Sequence, residues 1–95
     1  MQIIASEAIQ EKISKIHGID FLEVEEAFNN FSGYPLEDKR AQHKTRPPTL
    51  WCLSETYDDR LLKLVFIIYE EKELAVLRTA YEPDDYEVDI WNESQ

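Results

Sequence analysis

The stretch DKRAQHKTRPPTLW, residues 38–51, gathers Lys39, Arg40, Lys44 and Arg46 around His43, with no acid from 39 to 46. Bases packed this closely are what an anionic substrate needs, and a phosphate group above all. The same composition also suits a solvated connector between two structural halves. Residue types alone leave both readings open.

Other chemistries find less support. His17 and His43 stand 26 residues apart and the chain has one cysteine, Cys52, so no zinc spacing exists. Cys52 sits between Trp51 and Leu53 and reads as a small buried apolar side chain. With two glycines in the chain there is no phosphate-binding loop. Asp85, Glu87 and Asp89 alternate as cation-loop ligands do, but the glycine that turns a calcium loop is missing. The expectation is no metal and no cofactor. His17, beside Gly18, reads as a residue interacting with the last carbonyls of a helix.

Twenty acids against ten bases, a formal net charge of −10, ordinarily argue against nucleic acid. The distribution changes that picture: residues 82–93 carry six acids and no base, so the basic cluster stands apart from an acidic end. The length suits one domain with one modest core. A lone cysteine, an opening MQIIASEAIQ without a basic leader, and a longest apolar run of only Leu64 to Tyr69 lead to the expectation of a soluble cytoplasmic protein with no membrane segment.

The elements that must position these groups follow from periodicity. Gln2 to Ala5 can form a short strand, and Ala8, Ile9, Ile13 and Ile16 fall on one face of a helix that begins near Ser6 and stops at Gly18. A second helix starts at Asp20, with Glu23 as its capping-box partner and Ile19 and Val24 as a hydrophobic staple. Asn29 to Pro48 reads as a polar connector. Thr49 to Thr56, Leu61 to Tyr69 and Leu74 to Tyr81 read as three strands, the middle one central and buried on both faces. The fold class is α+β, with two N-terminal helices packed on a small antiparallel sheet in the order β-α-α-β-β-β. Residues 1–83 make one domain, and residues 84–95 an acidic C-terminal tail.

Several pieces in this order, KIHGI, EVEEAF, the segment from Asp38 to Trp51, ETYDDRLLKLVF and TAYEP, together resemble the BrnT-like group of the RelE/ParE toxin superfamily, over residues 3–83. Chains of this look often carry the label ADP-ribosyl-(dinitrogen reductase) hydrolase, an activity that belongs to a much larger helical domain with spaced magnesium-binding carboxylates. The resemblance implies a RelE/ParE-like fold and a toxin of a type II toxin–antitoxin pair, neutralised by a small antitoxin protein that covers its basic surface. It also implies metal-independent cleavage of messenger RNA, in which a base removes the ribose 2′-OH proton, an acid protonates the leaving oxygen and cations stabilise the phosphorane.

Carried onto this chain, that chemistry assigns His43 as acid or base and Lys39, Arg40, Lys44 and Arg46 as phosphate or RNA ligands. Arg78 and Tyr81, at the end of the last strand, hold places similar to those used in RelE-like nucleases. The chain departs from BrnT after Tyr81, where EPDDYEVDIWNESQ replaces an arginine-rich helix. An acidic segment there would repel RNA or occupy the basic patch. The alternative expectation is a non-enzymatic protein-interaction module, an inactive relative using its sheet or its acidic tail.

Overall fold

The computed structural model describes residues 1–40 and 45–95. The elements are β1 (Gln2–Ile4), α1 (Glu7–His17), α2 (Phe21–Asn30), β2 (Leu36–Glu37), β3 (Thr49–Glu55), β4 (Leu61–Tyr69), a 3-10 turn (Glu70–Lys72), β5 (Leu74–Tyr81) and α3 (Asp85–Ser94). They make an α+β fold with a five-stranded mixed sheet in the order β1-β5-β4-β3-β2.

The helix boundaries rest on local chemistry. The Ser6 hydroxyl accepts from the Ile9 amide at 3.2 Å, and Gly18 closes α1 at φ 63°, the left-handed conformation that costs glycine no steric penalty. Asp20 and Glu23 form the reciprocal capping box of α2, and the staple residues Ile19 and Val24 are fully buried.

Cross-strand register sorts the side chains between two faces. Leu62, Leu64 and Phe66 point one way, with Cys52 opposite Leu64 and Ala80 on its other side, and α1 and α2 cover them. Phe28 of α2 meets Phe66 edge to face at 5.6 Å between centroids. On the opposite face lie Trp51, Leu53, Lys63, Val65, Ile67 and Tyr81, and here α3 docks, its Trp91 ring 5.8 Å from Trp51 and 6.0 Å from Phe31.

Two sequence expectations are corrected. The sheet is not wholly antiparallel: β1 runs parallel to β5, pairing Ile3 with Ala75. A parallel neighbour needs a long crossover, and the helical hairpin with the strands after it supplies one. Hydrophobic alternation in a three-residue strand carries no information about direction. The acidic segment from residue 84, read as a tail, forms α3: Asp84 and Glu87 make a second capping box and Trp91 is only 9% exposed.

Arg60, in the β3–β4 turn, clamps the helical hairpin to the sheet. Its Nη1 donates to the Gly18 carbonyl at 3.1 Å and to Glu23 at 3.0 Å, while Nη2 donates to Glu82 at 2.8 Å.

Candidate functional site

Lys63 is the one polar residue in the centre of LLKLVFIIY, and it points to the face that α3 covers. It is 6% exposed, its ammonium lying 4.5 Å from the Trp51 ring centroid and 5.4 Å from that of Tyr81. A charge this buried must be paired. Its partner is Glu87 of α3, whose Oε2 accepts from Lys63 Nζ at 2.5 Å and from the Tyr81 hydroxyl at 2.8 Å. The other carboxylate oxygen accepts from the Asp84 amide at 3.1 Å, so one side chain caps its own helix and bridges β4 to β5.

Burial pushes the Glu87 carboxyl up, but the Lys63 ammonium, the Asp84 amide and the Tyr81 hydroxyl together hold it below its ordinary value. Burial works against the Lys63 ammonium, and Glu87 and Tyr81 more than offset it, so the ammonium titrates above its ordinary value. Tyr81 is also raised, by burial first and by the neighbouring carboxylate, with Lys63 opposing. Near neutrality the phenol is therefore a proton donor.

Across the same cleft, of about 630 Å³, stand Lys39 and Arg40, lining it with Trp51, Lys63 and Glu87. Asp38 fixes Arg40 in a fork, Nε to Oδ1 at 3.1 Å and Nη2 to Oδ2 at 2.8 Å, which raises the guanidinium further above its ordinary value. Asp38 is 8% exposed, and its amide donates to the Thr49 carbonyl at 2.8 Å, so this fork is anchored to the first residue of β3. The Arg40 side chain itself is 58% exposed and open to a ligand.

Of the residues singled out by sequence, Lys39, Arg40 and Tyr81 thus share one region. Arg46 is exposed and lines an adjoining cleft with Glu37, Asp38 and Thr49. Arg78 is exposed and lies outside the cleft. It is the extra residue of a β-bulge, since Val65 pairs with Thr79 and Phe66 with Leu77. His43 and Lys44 lie outside the described residues. His17, read from sequence as a helix-end residue, is in ring contact with Tyr81 at 5.5 Å between centroids.

Sequence reasoning missed Lys63 and Glu87. The signal for the first was a lone lysine in a strand otherwise apolar enough to be buried on both faces. The signal for the second was Asp84 followed three residues later by Glu87, a helix start, with Val88 and Trp91 as its apolar stripe.

Cys52 is buried and pushed up to about 12 by that burial, which leaves it a thiol rather than a nucleophile. Among the described residues no group of three or more His, Cys, Asp or Glu side chains is placed to hold a metal ion, and no helix is long and apolar enough to cross a membrane. No protein-family model matches the chain, and no curated protein is similar to it at a significant level.

Proposed function

We propose that the chain is a RelE/ParE-type toxin of a toxin–antitoxin pair, a metal-independent ribonuclease that acts on messenger RNA through the cleft between α3 and the sheet. The observation that carries this reading is that Arg40 and Lys63 line one cleft with the Trp51 indole, and that the Tyr81 hydroxyl meets the same Glu87 oxygen as Lys63 does. Arg40 offers a planar, oriented donor set for a phosphate. Lys63 supplies a fixed positive charge where negative charge would grow on phosphorus. The Tyr81 hydroxyl donates to a phosphate oxygen, and Trp51, which lines the cleft, offers aromatic surface to a base. Proton transfer falls to a histidine: His43 by its place in the basic cluster, or His17 by its contact with the Tyr81 ring.

The test is incubation of the purified chain with an end-labelled messenger transcript in the presence of a chelator. Discrete cleavage that weakens in Arg40→Ala and Tyr81→Phe supports the assignment. An intact transcript, together with unimpaired growth on induced expression, rejects it. A small antitoxin is the protein partner that this reading requires.

A second reading, a non-enzymatic protein-interaction module, is favoured by one observation: Glu87 already satisfies both Lys63 and Tyr81. In that case the cleft is a finished polar network of the core, and binding uses the acidic outer surface of α3.

A further inference from the structure

Three residues of the chain's end, Glu87, Trp91 and Gln95, recur at intervals of four and so share one stripe of α3. They hold the helix at three points. Trp91 is buried against Trp51 and Phe31, and Gln95 exchanges two hydrogen bonds with the backbone of Tyr34, at 3.2 and 3.1 Å. Of the three, Glu87 makes its contact in the cleft, on the first turn, while Trp91 and Gln95 hold the later part of the helix.

What Glu87 does there is distinctive. A single carboxylate oxygen accepts from an ammonium and from a phenol, with the Arg40 guanidinium on the other side of the cleft. Ammonium, phenol and guanidinium are the donor set that a phosphate oxygen would use. We infer that Glu87 is a built-in plug of the anion subsite: its carboxylate occupies the position of an RNA phosphate, and the site accepts RNA only when that side chain is displaced. The inference rests on the RNA reading above and adds its regulation. Within the cleft, Asp38 is paired with Arg40 and Glu87 with Lys63.

The test is fluorescence anisotropy with a labelled single-stranded RNA of mixed sequence at low salt, comparing the wild-type chain with Glu87→Gln, Glu87→Asp and Asp89→Asn. Glu87→Gln removes the charge and keeps an oxygen for the helix cap. Glu87→Asp keeps the net charge and withdraws the carboxylate from its bridge. Asp89→Asn makes the same charge change as Glu87→Gln on an exposed part of α3.

Glu87→Gln should bind roughly tenfold more tightly, as expected when a competing anion leaves a charged pair. Glu87→Asp should also gain, Asp89→Asn should gain little, and adding Lys63→Met to Glu87→Gln should remove the gain. Equal gains in Glu87→Gln and Asp89→Asn would overturn the plug, since bulk charge would then suffice. An unchanged Glu87→Gln, with wild-type binding weakened by Arg40→Ala, would also overturn it while leaving the RNA site standing. No RNA binding by any of these chains would remove the site and the plug together.

Discussion

Lys63, in the central strand, and Glu87, on the last helix, meet at 2.5 Å with side chains only 8% and 15% exposed. Their bond ties the middle of the sheet to the end of the chain. The strand supplies a buried cation and the helix supplies its only carboxylate in bonding distance among the described residues. The fold and the candidate site therefore depend on the same contact, so stability and binding have to be measured on each variant together.

Removing one partner of such a pair leaves the other charge buried. Lys63→Met should cost about 3 kcal/mol, and Lys63→Met combined with Glu87→Met should recover most of that loss. Urea unfolding of the two single variants and the double variant closes the cycle. A double variant no more stable than the worse single variant would mean that the pair is not where the loss arises.

Docking of α3 depends chiefly on Trp91. Trp91→Ala should destabilise by about 3 to 5 kcal/mol, a large share of the stability of a domain this size. The chain has only two tryptophans, so emission from Trp51 reports the same event: it should move to longer wavelength when the facing ring is removed.

Acid should weaken the protein through its bridging carboxylates. Glu87 and Glu23 both lie below their ordinary value of 4.5, the first against burial through Lys63 and the helix cap, the second through the Asp20 amide and Arg60. A depressed carboxyl contributes stability that is present above its unfolded value and lost as pH falls through the folded one. Denaturation midpoints taken downward from about pH 6 should fall below that unfolded value, and less steeply in Glu87→Gln. Lys63 acts at the other end, its contribution fading as pH rises through its raised folded value.

Arg60→Ala should cost about 1 to 2 kcal/mol, because its guanidinium is partly exposed but joins Gly18, Glu23 and Glu82. RNA binding should be unchanged in this variant. A loss of binding larger than the loss of stability would place Arg60 in the functional surface.

The sequence was most legible where local chemistry decides structure. Ser6, Gly18, Asp20 and Glu23 mark helix ends by hydrogen bonds within a few residues, and the three long strands follow from alternation. The direction of β1 was not legible, since it depends on pairing with β5 more than seventy residues away. The role of Arg78 was hidden by the bulge: the extra residue shifts alternation, so Ala75 and Leu77 are buried and then Ala80. The acidic segment misled because charge composition outweighed the pattern of Asp84, Glu87, Val88 and Trp91. Lys63 was passed over because a lysine in a buried strand acquires meaning only through its partner, and that partner lies in the segment read as an acidic tail.

The most direct measurement of the cleft as an RNA phosphate site is the salt dependence of RNA affinity for the Glu87→Gln chain, with and without Arg40→Ala. Each phosphate contact contributes about 0.7 to the slope of log affinity against log salt for a single strand. Loss of Arg40 should reduce the slope by about that amount and weaken binding at low salt, while the denaturation midpoint falls because the buried Asp38 carboxylate loses its fork. The same slope and the same affinity in both chains would contradict the site.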